Sequence, residues 1–213
     1  MRTAGPVGFD LDLTLINSRP AILAAWSAVA DEHGVHIDMT AVDQRMGIKL
    51  EDEVSYWFPA AGQQAAADSY RRHYVRLAPE LTFPLPGAAE AIAAVRQAGE
   101  RALIVTAKHQ ISVQPSLDAV GLVADEVFSH VHGPEKAAVL AAVGAAVYVG
   151  DTPADMAAGH SAGVLAVGVT TGSFSAADLR AAGARLVLGS LADFPGWYAE
   201  FRAGSSGGER DGG

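Results

Sequence analysis

The chain has 213 residues, half of them hydrophobic, which suits one large domain or a core with a small insertion and allows a sizeable interior. It has no cysteine, which removes disulfides, thiolate nucleophiles and cysteine-ligated zinc, and its net charge of −9 speaks against nucleic acid as a general partner. No apolar run reaches the roughly 20 residues of a bilayer span, and no secretory signal is read at the N-terminus, so the expectation is a cytoplasmic protein with no membrane partner.

The first predicted element is a strand from Pro6 to Asp10, an apolar run ending on a carboxylate. From about Ile16 to Phe83 the pattern is helical. Ile22, Trp26, Val29 and His33 share one face, and further helical patterns run over Glu51–Phe58 and Gln63–Leu77, with no convincing strand. Leu85-Pro86-Gly87 marks a turn. Apolar runs then alternate with helical patterns. Ala102–Thr106, Ala146–Asp151, Leu165–Thr170 and the shorter Leu186–Leu188 read as parallel strands buried on both faces. Between them, Val113, Leu117 and Val120 form one helical stripe and Val139, Leu140 and Val143 another, with Pro134 near the first turn of the second helix. The fold expected is α/β: a doubly wound parallel-sheet core over residues 1–15 and 84–201, with an all-helical insertion over 16–83. Its hinges would lie near Leu15–Ser18 and Thr82–Pro86. The Gly- and Ser-rich tail, 202–213, is expected to be disordered.

In open α/β sheets, ligands bind beyond the carboxyl ends of the strands. The polar residues at those ends are Asp10 with Asp12, Thr106, and Asp151 with Asp155. In Asp10-Leu11-Asp12-Leu13-Thr14 the two carboxylates project the same way from extended backbone. Crowded carboxylates repel and call for a cation or a shared proton. Mg²⁺ suits them, because it takes oxygen ligands and commonly uses one or two carboxylates with phosphate and water. One carboxylate can then attack phosphorus, while the other protonates the leaving oxygen and later activates water. A turn or helix cap would also use such aspartates.

Asp155 follows Asp151 by about one helical turn, so both can face one cation, or Asp151 can merely cap the next helix with Pro153 in its first turn. Thr106 and the N–H groups after it can hold phosphate oxygens, or Thr106 can be an ordinary strand-end residue. Lys136 lies near the start of a helix, where a lysine is unfavourable unless an anion is close. It could neutralise charge on a nucleophile and a phosphoryl group, with Lys108 as its rival. A solvated surface lysine is the plainer alternative.

These signals, in this chain order, resemble the haloacid dehalogenase-like superfamily, in the phosphoglycolate phosphatase-like branch with a helical cap inserted after the first motif. Phe9–Leu15 is similar to the first motif, Thr106 to the second, Lys136 to the third and Gly150–Asp155 to the fourth; the resemblance runs from Val7 to about Tyr198. It implies a Rossmann-like core, a cap that closes over the crevice, and a magnesium-dependent phosphatase acting on a small-molecule phosphate ester. It implies that Asp10 is nucleophile and metal ligand. Asp12 would be general acid/base and give the metal its backbone carbonyl. Thr106 and Lys136 would orient the phosphoryl group, Asp151 would bind the metal, Asp155 would support the site, and Thr14 would shape the first loop. An acid at Asp12 is at odds with the dehalogenase members. Arg45-Met46-Gly47-Ile48-Lys49 is similar to the glycine-containing loop with which such caps reach the site. Arg45, Gly47 and Lys49 are therefore candidate substrate contacts, as are Ala107 and His109 beside Thr106. Leu13 stands where the family often has glycine, and Ala107 where it often has asparagine or serine. Bulky residues resist positive φ, and alanine has no polar side chain, so both departures bear on substrate rather than reaction.

Two other readings stay open. One is a phosphomutase of the β-phosphoglucomutase type, which returns the phosphoryl group to a sugar. The other is a non-catalytic regulatory relative that binds phosphate or magnesium. Receiver domains also gather aspartates, a threonine and a lysine around magnesium, but they lack the insertion and the pair around Asp12. Monomer and homodimer are both compatible with the sequence.

Overall fold

The computed structural model describes residues 4–206. It opens with strand β1 (Val7–Phe9), a short turn-forming loop, and a two-residue strand, β2 (Ile16–Asn17). Four helices follow: α1 (Arg19–His33), α2 (Met39–Gln44), α3 (Leu50–Trp57) and α4 (Gln63–Leu81). Strand β3 (Phe83–Pro84) then returns antiparallel to β2, pairing Ile16 with Pro84 and Asn17 with Phe83. This ribbon corrects the expectation of no strand between Ile16 and Phe83. Two residues per strand are too few to show any alternation in sequence. Helix α4 runs past the expected Leu77 to Leu81. Pro79 lies in its last turn, where its missing N–H forfeits the bond to Val75 O and the helix ends two residues later.

The α/β part continues through α5 (Ala88–Gln97), β4 (Ala102–Val105), α6 (Gln110–Val120), β5 (Glu126–Phe128) and α7 (Pro134–Ala142). It ends with β6 (Val147–Gly150), α8 (Pro153–Ser161), β7 (Leu165–Val169), α9 (Ala176–Ala181), β8 (Leu186–Leu188) and α10 (Phe194–Ser206). Six strands form one parallel sheet in the order β5-β4-β1-β6-β7-β8. Val7 lies between Ala102 and Val147, and Phe9 between Ile104 and Val149. Both faces of the sheet are covered. One face packs Ile92, Val95, Val113, Leu117, Phe194 and Tyr198 of α5, α6 and α10 over β1. On the other, Leu140 of α7 packs with Tyr148, and Met156 and Leu179 of α8 and α9 pack with Ala166. The doubly wound α/β expectation therefore holds.

The helices between β2 and β3 bury apolar groups of their own. Trp26, Val29, Val42, Val54 and Phe58 form one cluster, and Ala21, Ala25, Tyr74 and Ala78 another. No helix among the described residues is long and apolar enough to cross a membrane. Helix α10 runs to Ser206, so the start of the expected disordered tail is helical; residues 207–213 lie outside the described residues.

The winding runs from β1 toward β4 and β5 on one side, and from β6 toward β7 and β8 on the other. The strand order thus reverses around β1, which opens a crevice at the carboxyl ends of β1, β4 and β6. Those strands stop at Phe9, Val105 and Gly150, each one residue short of the polar side chain assigned to it from the sequence. Asp10, Thr106 and Asp151 therefore stand just beyond the sheet, at the crevice.

Candidate active site

Asp10 leaves β1 with its N–H still donating to Val149 O at 2.8 Å, so its position is fixed by the neighbouring strand. The chain then turns tightly, with the N–H groups of Thr14, Leu15 and Ile16 all donating to Leu11 O. Leu13 adopts φ 59°, the left-handed conformation a bulky residue resists. Such strain costs about 1–3 kcal/mol and persists only when the surroundings enforce it. Here Leu13 N–H donates to Ile16 O at 2.7 Å, and the Thr171 hydroxyl donates to Leu13 O at 2.5 Å. Thr14 is buried in this turn, and its hydroxyl donates to Asp151 Oδ1 at 3.2 Å, tying the first loop to the end of β6.

Lys136, in the first turn of α7, points into the same place. Its Nζ donates to Asp10 Oδ1 and to Asp155 Oδ1, both at 2.7 Å, and all three residues are buried. The Tyr148 hydroxyl lies between Val105 O at 2.9 Å and Asp155 Oδ1 at 3.0 Å. Asp155 Oδ2 accepts from Thr152 N–H at 3.2 Å and from the Thr152 hydroxyl at 2.6 Å, while Asp155 N–H donates back to that hydroxyl. Thr152, not Asp151, therefore caps α8 in a reciprocal capping box. Both oxygens of Asp155 are thus committed to holding Lys136, Tyr148 and the helix start.

Carboxylate oxygens of Asp10, Asp151 and Asp155 lie within 4.8 Å of one another. Burial raises Asp10 from an ordinary 3.8 to about 7; Lys136 offsets part of this, and Asp155 adds to it. Burial, then Asp155 and Asp10, pushes Asp151 well above the carboxylate range. Burial opposes the Lys136 ammonium too, but Asp10 and Asp155 outweigh it and hold it well above the ordinary lysine value. One ammonium cannot balance all three carboxyls in their ionised form, so without a further cation they hold protons instead. A hard divalent cation with oxygen ligands fits this donor set. With Asp155 committed to Lys136, Tyr148 and the helix start, Asp10 and Asp151 are the carboxylates that could hold it.

Asp12 is engaged elsewhere: Lys108 Nζ donates to its Oδ1 at 2.7 Å. The same ammonium lies 4.1 Å from the centre of the Tyr74 ring of α4, which hydrogen-bonds Ser116 of α6 at 3.2 Å. Lys108 and Lys136 are therefore not rivals, since each neutralises its own aspartate. Thr106 is buried, and its hydroxyl accepts from Lys108 N–H at 3.1 Å. His109 caps α6, its Nδ1 accepting from Ile111 N–H at 3.3 Å.

A cavity of about 440 Å³ opens over these groups, between the crevice and the inserted helices. Asp10, Asp12, Thr106, Lys136, Asp151 and Asp155 line its floor, with Ala107 and His109 beside them. Arg45, Gly47 and Lys49 line it from the insertion. Thr14 does not line it and acts from behind. Gly47 has φ 100°, and a Cβ there would come within 3.3 Å of the Thr152 methyl, so a side chain would crowd this approach to the fourth motif. Arg45 is already committed: its Nε donates to Glu53 at 2.8 Å and its guanidinium lies 4.1 Å from the Tyr56 ring centre.

Tyr148, Thr171 and Gly172 also shape the site, without a motif that singled them out in the sequence. A side chain at Gly172 would collide with the Asp151 carboxylate, so only glycine leaves that group its place. Thr171 and Gly172 follow β7, so the strand-end rule that singled out Asp10 and Asp151 also reaches them. Tyr148 lies within an apolar strand run, and nothing in the pattern marks it.

The family model for haloacid dehalogenase-like hydrolases matches residues 7–160, and a second, for HAD-hydrolase-like proteins, matches residues 132–194. A phosphoglycolate phosphatase of Caulobacter vibrioides is 30% identical over 213 residues, spanning 89% of this chain and 88% of that protein. A haloacid dehalogenase-like hydrolase from Streptococcus pneumoniae has the same fold, with a TM-score of 0.81, 20% identity, and coverage of 93% of this chain and 100% of that one. CbbY from Rhodobacter sphaeroides, solved with phosphate, gives a TM-score of 0.77 at 19% identity, covering 88% of this chain and 95% of that one. The match over residues 7–160 and the crevice built on it lead to one conclusion: the chain belongs to the haloacid dehalogenase-like hydrolase family.

Proposed function

We propose that the chain is a magnesium-dependent phosphatase that hydrolyses a small-molecule phosphate monoester through an aspartyl-phosphate on Asp10. The observation that carries this reading is the Lys136 ammonium bonded to Asp10 and Asp155 at 2.7 Å each, with Asp151 alongside, at the floor of a cavity. The name of the Caulobacter vibrioides relative supports the same activity.

Asp10, Asp151 and the backbone carbonyl of Asp12 would hold the magnesium ion. When bound, the ion supplies charge neutralisation between the carboxylates and the phosphoryl oxygens. Lys136 occupies Asp10 Oδ1 and leaves Oδ2 to attack phosphorus. Thr106 and Lys136 orient the phosphoryl oxygens. As the Asp10–phosphorus bond forms, the bond to the leaving oxygen breaks, and Asp12 gives that oxygen its proton. Asp12 then takes a proton from water as the water oxygen bonds to phosphorus and frees Asp10. Lys108 holds Asp12 Oδ1, so the proton is carried on Oδ2. The inserted helices exclude bulk water during both steps.

Inorganic phosphate release from p-nitrophenyl phosphate tests this reading. Release should stop on adding a chelator and recover on adding Mg²⁺. Transfer of the phosphoryl group to an added sugar, with no free phosphate, would favour the mutase reading instead.

The raised Asp10 pKa adds a pH dependence. An acid whose folded pKa exceeds its unfolded one binds more protons when folded, so its contribution to stability declines as pH rises from about 4 to about 7. A cation binding the ionised carboxylate competes with that proton. Added Mg²⁺ should therefore raise Tm more at pH 8 than at pH 6. An equal shift at both pH values would argue against cation binding at Asp10.

A further inference from the structure

We propose that the ester group of the substrate is apolar and larger than a two-carbon acid, close to an aromatic ring or a six-carbon chain in size. This rests on the phosphatase reading and adds the class of leaving group.

The cavity volume of about 440 Å³ falls in the range of pockets that enclose drug-sized ligands, so a glycolate-sized group would fill only a small part of it. Its wall from the insertion includes Ile22, Trp26, Ile48, Leu50 and Tyr70. The Trp26 and Tyr70 ring centres lie 4.9 Å apart with their planes tilted by 36°, an aromatic pair in the cavity wall.

The charged groups on this wall are mostly spent on each other. Arg45 donates to Glu53 at 2.8 Å, and Glu53 also accepts from the Trp57 indole at 2.6 Å. Arg71 donates to Glu51 at 3.0 Å. A polar leaving group would have to break such pairs to be recognised, whereas an apolar one leaves them intact.

The floor tells the same way. Leu13 and Ala107 both line the cavity, where the family resemblance leads one to expect glycine and a polar side chain. Leu13 is kept there despite a left-handed backbone. Both differences make the place next to the scissile bond more apolar, as an apolar ester requires.

The test is a series of unactivated esters of similar leaving-group acidity: methyl, propyl, hexyl and 2-phenylethyl phosphate, with phosphoglycolate alongside. The expected kcat/KM rises about two- to fourfold per methylene up to hexyl phosphate, which exceeds phosphoglycolate. Ile48 is exposed on its loop, so Ile48→Ser should fold normally, and it should lower the hexyl-to-methyl ratio at least threefold. Ala107→Asn should lower that ratio too. Turnover with a flat or falling series, or with phosphoglycolate preferred over hexyl phosphate, would overturn the apolar leaving group and leave the phosphatase reading standing. No turnover of any ester, p-nitrophenyl phosphate included, would overturn both.

Discussion

Asp10→Asn should lower kcat/KM by about 10⁴-fold or more, the scale seen when a nucleophile acting as part of a unit is removed. Asparagine keeps the shape and the acceptor for Lys136 but offers no carboxylate oxygen to bond phosphorus. The same variant should be more stable than the wild type at pH 8 in chelator. Burial raises Asp10 to about 7, so at pH 8 the wild type holds an ionised carboxylate that folding disfavours. Near pH 4 the two proteins should unfold at similar temperatures, because the wild-type carboxyl is then protonated. A gain in stability with a loss of turnover is the sign of a functional group kept against the interests of the fold. Thermal melts at the two pH values and single-turnover rates check it. Turnover kept within tenfold of the wild type would remove Asp10 from the role of nucleophile.

Lys136→Ala should move stability the other way at pH 8. It leaves Asp10, Asp155 and Asp151 together without the ammonium, and stranding buried charge of this kind typically costs about 3–5 kcal/mol. The loss should shrink toward pH 6, because without Lys136 the Asp10 carboxyl takes up a proton more readily. Rate should fall by about 10²–10³, the magnitude for a preorganised donor at developing charge. The acid limb of the pH–rate profile should also move to higher pH, since Asp10 must be ionised to attack. A pH-independent loss of stability with a full rate would make Lys136 a packing residue.

The opposite signs of these two variants at pH 8 follow from one arrangement, and much of it was legible in the sequence. The apolar runs that became β1, β4, β6 and β7 are buried on both faces, so continuous hydrophobicity marked them without any need for alternation. The polar residue closing each run marked the crevice, because the strand-end rule ties position in sequence to position in space. Strand β5 carried no such mark. It is a three-residue edge strand with Val127 exposed, too short and too open for the pattern. The β2–β3 ribbon and helix α2, of six residues, fall below the same limit.

The partners of the candidate groups were less legible than the groups themselves. That Lys108 belongs to Asp12 and Lys136 to Asp10 depends on the directions of α6 and α7, which spacing alone does not give. Tyr148 reaches Asp155 from inside a strand, so its hydroxyl is hidden in a run that reads as core. Leu13 was different, because its bulk in a tight loop pointed to strain, and φ is 59° there.

Chemical trapping reads out the covalent bond between Asp10 and phosphorus during turnover. The wild-type enzyme is mixed with substrate and Mg²⁺, quenched in acid within the first turnover, reduced with borohydride and digested for mass spectrometry. The expected result is reduction of the Asp10 carboxyl to an alcohol, in amounts that track the early burst of the released leaving alcohol. A phosphoryl group recovered on another side chain, or steady turnover with Asp10 never modified, would contradict it.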